Sequence, residues 1–162
     1  MYYRREQKSA QQEENPLNEA VLEIKRVSKK TKGGNSLGFT ALVGVGDSHG
    51  GMGIGLGKAK DVRTAIDKGN KKARRKMVTF PLIGDTIPHG MVVQDGAVHL
   101  IIKPAPSGSG VMAGGVLKQL LELGGIKDIS IKNVGTRNKF SVANSVLKVL
   151  HEMKPMVRET QK

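Results

Sequence analysis

The chain has 162 residues, 38% hydrophobic and 25% charged, enough to bury roughly 70% of its unfolded surface in one domain or two small ones, which argues against global disorder. It carries 27 Lys and Arg against 14 Asp and Glu, a formal charge of +13, and its lack of cysteine excludes disulfides and thiolate zinc sites. The opening Met1 to Lys8 has no apolar h-region and no run nears the roughly 18 apolar residues of a membrane span, so the expectation is a cytosolic protein.

Residues 1–18, rich in Gln, Glu, Lys and Arg, predict a flexible tail. Ala20 to Val27 reads as a strand whose apolar content is interrupted by Glu23, Lys25 and Arg26, the pattern of a sheet edge. Lys29 to Ser36, marked by Gly33-Gly34, reads as a basic loop. Leu37, Phe39, Ala41, Val43 and Val45 then alternate with smaller or polar residues, a period-two strand. After the turn residues Asp47 to Gly50 the chain resumes as Gly51 to Gly57, and the two runs make a hairpin. Met52, Ile54 and Leu56 share one face of the second strand, and four glycines bare the other. So naked a face admits a close approach, either by an RNA backbone or by a packed helix or neighbouring chain.

From Ala59 to Met77 the spacing predicts an amphipathic helix, with Val62, Ala65, Ile66, Gly69 and Ala73 on one arc and Lys60, Arg63, Lys68, Lys71, Arg74 and Arg75 opposite. Val78 to Ile83 and Val98 to Lys103 read as strands, and Pro81, Pro88 and Gly90 confine the piece between them to edges or turns. The loop Pro104 to Gly110 leads into an expected helix containing Val111, Met112, Val116, Leu117, Leu120 and Leu121, ended by Gly124-Gly125. Ile126 to Val134 predicts a strand with Ile129 and Ile131 on one face, and Phe140 to Met153 a last helix that Pro155 stops. Residues 154–162 are read as a second tail.

Between Lys25 and Lys76 lie fourteen of the 27 basic residues and only three acids, so this stretch holds +11 of the +13. An ordinary surface helix mixes signs for i,i+4 pairing, yet nine basic residues between Lys58 and Lys76 meet only Asp61 and Asp67. Such concentration marks a polyanion partner, most commonly nucleic acid. Rings for stacking single strands are scarce (Tyr2, Tyr3, Phe39, Phe80 and Phe140), which favours folded RNA read through phosphates and shape. Residues 77–131 hold three basic and four acidic residues, so the second half is expected to meet a different partner.

Chemistry beyond binding finds little support. Gly57-Lys58 fails the GxxxxGK[ST] phosphate loop at Met52 and Ala59, and Gly108 to Ala113 meets only the loose GxGxx[GA] pattern. The four histidines are scattered without ligand spacing, and no activated nucleophile is visible. The expectation is a binding protein, not an enzyme, with no catalytic residue, cofactor, metal or small-molecule substrate. Two other readings remain: an enzyme holding a nucleotide at Ser107 to Gly110, and a free regulator that binds double-stranded RNA.

Arg26-Val27-Ser28-Lys29, Lys32-Gly33-Gly34, Phe39 to Val43, Gly53-Ile54-Gly55, Gly57-Lys58-Ala59 and Lys72 to Arg75 resemble the bacterial small-subunit ribosomal protein five family. Lys103-Pro104-Ala105, Ser107-Gly108, Ala113-Gly114-Gly115 and Gly135 to Asn138 continue the likeness, which runs in register from about Glu23 to Leu150. The resemblance implies an α+β protein. Residues 19–83 would form a double-stranded-RNA-binding-like domain of three strands and a helix. Residues 84–153 would form a βαβ-containing domain, with a left-handed crossover and helices on one face of a sheet. The second domain is also similar to part of a family of small-molecule kinases.

The same resemblance implies a structural constituent of the 30S subunit in the cytoplasm. It would bind 16S rRNA, support assembly, and influence accuracy where the messenger enters, with messenger RNA nearby and no membrane. Arg26, Lys29, Lys30, Lys32, Gly33 and Gly34 correspond to the family's RNA-contacting loop, and Lys58, Arg74 and Arg75 to further basic positions; Asn35 and Lys60, beside them, are also expected to bind RNA. Gly110 and Lys118 correspond to the surface facing small-subunit protein four, and protein eight adjoins the second domain. The chain departs from the family at Asn35 and Gly51, where basic residues are usual, at Arg63 and Lys139, where prolines are, and at Lys118, where arginine is more frequent.

Overall fold

The computed structural model describes residues 17–153. Both expected tails fall outside this range except for Leu17 and Asn18, and Asn18 already opens a strand. The period-two runs of the first half form β1 (Asn18–Thr31), β2 (Gly34–Gly46) and β3 (Gly51–Ala59), with the short β4 (Val78–Thr79) closing an antiparallel sheet of order β1-β2-β3-β4. β1 is an edge, as its interrupting charges predict.

The basic segment expected as a loop is instead ladder. Lys29, Lys30 and Thr31 pair with Ser36, Asn35 and Gly34, leaving Lys32-Gly33 as the turn. Gly34 adopts φ +126°, outside the range of an ordinary side chain, and its carbonyl accepts from the Thr31 hydroxyl at 2.8 Å. Pattern reading stops at the glycine pair because a two-residue turn and a longer loop share that signature.

After β3 comes α1 (Val62–Arg75), capped by Asp61, whose carboxylate accepts the Arg63 N–H at 3.1 Å. A proline at 63 would lack that donor. α1 buries Ala65, Gly69 and Ala73 against the glycine face of β3. A Cβ at Gly55 would stand 2.6 Å from the Ala73 nitrogen, and one at Gly57 2.6 Å from the Gly69 nitrogen. The helix therefore occupies the bare face, and the RNA-backbone reading of those glycines is wrong.

The second half adds β5 (Met91–Asp95), β6 (Val98–Pro104), β7 (Val111–Met112), α2 (Gly115–Leu123), β8 (Ile129–Asn133) and α3 (Lys139–Glu152). Its sheet runs β5-β6-β8-β7, antiparallel except for the β7–β8 pair, which α2 connects. Val111 and Met112, expected in the helix, belong to β7. The expected strand Val78 to Ile83 shrinks to two residues, and the proline-bounded piece after it supplies the edge strand β5.

Val98, Leu100 and Ile102 of β6 and Ile129 and Ile131 of β8 are buried alternately, so a single face of this sheet is covered. Leu117, Leu120 and Leu121 of α2 and Val142, Val146 and Leu150 of α3 cover it. The same cluster reaches Leu22, Leu42, Met52 and Ile54 of the first sheet, so the two helices lie between both sheets and one core joins the halves. Backbone bonds reinforce the junction: Ser48 N–H donates to Leu123 O and Gly50 N–H to Gly124 O, each at 3.0 Å. The second, smaller core of Ala41, Val43 and Ala65 seats α1.

Candidate nucleic-acid interface

Most of these cations fall into two groups set by strand alternation and helix phase. The hairpin tip presents Lys29, Lys30, Lys32, Gly33, Gly34 and Asn35, all exposed. Arg26, also exposed, lies four residues before Lys30 on the same face of β1, and Lys25 and Lys29 share the other. From Lys25 to Asn35 the hairpin contains five cations and no carboxylate. The second group gathers where β3, the end of α1 and the start of α3 meet: Lys58, Lys72, Arg75 and Lys76 line one groove of about 550 Å³. Lys72 Nζ donates to the Leu56 carbonyl at 2.9 Å, which fixes its stem along β3.

Arg74 belongs elsewhere. Its Nε and Nη2 donate to Glu19 Oε1 at 3.1 and 2.8 Å, and Asn70 also donates to Glu19. Adjacent Arg74 and Arg75 thus leave α1 on different sides, one toward β1 and one into the groove. Lys60 is exposed between β3 and α1 and joins neither cluster. The family likeness does not single out Lys72 and Lys76 as RNA-binding, although Lys68, Lys72 and Lys76 recur at the i,i+4 spacing that forms one helical stripe.

Lys139, the departure at the first position of α3, reaches across the junction to Glu23 Oε1 at 2.8 Å, and Lys25 meets Glu23 Oε2 at 3.3 Å. The hydrogen bond from Lys139, then that from Lys25, hold the Glu23 carboxyl below its ordinary value against the opposing effect of desolvation. A depressed carboxyl stabilises the fold above its unfolded value and loses that contribution as pH falls through the folded one. Glu23→Gln is therefore expected to flatten the stability profile below pH 4.5 and leave it unchanged in shape near neutrality, read by urea midpoints across that range.

Gly110 and Lys118 share a separate surface depression with Ser48, Glu122 and Lys127. Gly110 has φ +75° and donates its N–H to the buried Asp128 at 2.9 Å, so the carboxylate holds the loop. This loop does not open a helix: β7 intervenes and α2 begins only at Gly115. The helix N-terminus that a nucleotide phosphate would need is thus separated from Ser107 to Gly110. Among the described residues no helix is long and apolar enough to cross a membrane.

Two antiparallel-dominated halves, the first a sheet with one flanking helix and a cationic hairpin, define an α+β protein whose surface suits a polyanion. Residues 17–81 match the family described as ribosomal protein S5, N-terminal domain, and residues 93–161 its C-terminal domain. The chain is 40% identical over 146 residues to the small ribosomal subunit protein uS5 of Protochlamydia amoebophila (strain UWE25), covering 90% of this chain and 87% of the relative. It is 44% identical over 138 residues to the protein of the same name from Dehalococcoides mccartyi (strain ATCC BAA-2266 / KCTC 15142 / 195), covering 85% and 80%. The chain belongs to the ribosomal protein S5 family, whose members are structural constituents of the small subunit in translation and not enzymes.

Proposed function

We propose that this chain binds 16S rRNA through the cations of residues 19–83, while residues 84–153 dock on neighbouring ribosomal proteins. The observation that carries this reading is the segment from Lys25 to Asn35: five cations without a carboxylate, held on a hydrogen-bonded hairpin so that little order remains to be acquired on binding. Lys58 and Arg75 extend the phosphate-binding surface toward the junction. Arg74, already engaged by Glu19, serves it less. On this reading the protein supports small-subunit assembly in the cytoplasm and influences accuracy where the messenger enters. Gly110 and Lys118 face small-subunit protein four, and protein eight adjoins the second half.

Counterion release dominates such binding, so affinity for 16S rRNA should fall steeply with salt. The joint variant Lys29→Ala, Lys30→Ala and Lys32→Ala is expected to flatten the log–log salt slope by about 0.7 to 0.9 for each phosphate no longer neutralised. Filter binding across a salt series reads it; an unchanged slope removes the hairpin tip from the interface.

A further inference from the structure

The groove formed by β3, α1 and α3 contains something the phosphate reading does not use. Phe140, in the first turn of α3, is 38% exposed and borders two open depressions, one of about 550 Å³ and one of about 280 Å³. Phe80 is buried, Phe39 packs with the α1 core, and Tyr2 and Tyr3 lie outside the described residues. Phe140 is thus the large aromatic side chain that the described surface offers.

Its surroundings are cationic. Lys58 lines both depressions, Lys25 the smaller, and Lys72, Arg75 and Lys76 the larger. The one carboxylate nearby, Glu23, is already held by Lys25 and Lys139. Asn138 and Asn144 flank the ring, one in each depression, and an amide offers both a donor and an acceptor to a base edge. Cations spaced along a groove with an aromatic platform between them make the arrangement that single-stranded nucleic acid requires. A duplex, whose bases are stacked inside, has no use for the ring.

We propose that Phe140 stacks an unpaired nucleobase of the bound RNA while Lys58, Lys72 and Arg75 neutralise the phosphates on either side. This rests on the RNA-binding reading and adds to it a contact for a bulged or single-stranded nucleotide at the junction of the halves. Phosphate contacts alone would be indifferent to whether a base is present; stacking is not.

The full chain has no tryptophan, so Phe140→Trp installs a single tryptophan at the ring, whose emission is excited selectively over that of Tyr2 and Tyr3. A short oligoadenylate is expected to quench its emission, and an abasic strand of equal length is not. Phe140→Leu, which keeps apolar bulk but removes the π-face, should weaken oligoadenylate binding about tenfold with an unchanged salt slope, and Phe140→Tyr should restore it. Both should bind a blunt RNA duplex like the parent. Equal quenching by the abasic strand, or full affinity in Phe140→Leu while the duplex is still bound, would overturn the stacking contact. Failure of every variant and the parent to bind duplex or 16S rRNA at low salt would instead remove the RNA-binding reading itself, and the stacking contact with it.

Discussion

Gly57→Ala is expected to destabilise the protein by more than about 3 kcal/mol, because the added methyl group would run into the backbone of α1. Its Cβ would overlap the Ala65 carbonyl and stand 2.6 Å from the Gly69 nitrogen. Neither atom belongs to a flexible side chain, so relief requires α1 to lift from the sheet. Lifting it opens the small core of Ala41, Val43 and Ala65 and carries Lys72 and Arg75 away from Lys58. Urea denaturation should show a lower midpoint, and rRNA affinity should fall with it. Gly33→Ala is the control: its Cβ meets nothing within 4 Å, and stability should change by less than about 0.5 kcal/mol.

Truncation of Leu120 has a comparable expected effect through different physics. Leu120 is fully buried in α2 and its Cδ1 lies 3.3 Å from where a Cβ on Gly44 of β2 would stand, so it fills space between the halves. Leu120→Ala should cost about 2 to 5 kcal/mol, from the missing buried methyl groups plus the cavity they leave. Because one core spans both sheets, hydrogen-exchange protection in β2 and in β6 should fall together. A fall confined to the second half would show that the shared core does not couple the two.

Much of this architecture is legible in the sequence because its signals are periodic. The alternation of Leu37 to Val45 places β2, the glycine-barred Met52, Ile54 and Leu56 place β3, and the i,i+4 arcs place α1 and α3 within three residues of their ends. Short elements carry no period. Val111 and Met112 look like the beginning of α2, and only their parallel pairing with Ile129 and Ser130, eighteen residues on, makes them strand.

The candidate site is legible as composition more than as geometry. Charge counting finds the segment, but no one-dimensional pattern separates Arg74 from Arg75. That distinction is made by Glu19, 55 residues away in the chain, whose carboxylate claims one guanidinium and leaves the other to the groove. Phe140 reads in the sequence as one of a few scarce rings, since its exposure and its cationic surroundings both arise from tertiary packing. Lys139 reads there as a missing proline, and its actual contribution, a tie from α3 to β1, spans 116 residues.

The helices shared between the two sheets make the molecule indivisible in practice. Cut near residue 83, the first fragment would leave Leu22, Leu42, Met52 and Ile54 without their cover, and the second would bare Leu120 and Leu121 to water. Each piece would then be sticky and prone to clump, so assigning roles to either part demands point changes on an intact molecule, and a cell that lost one part would forfeit both.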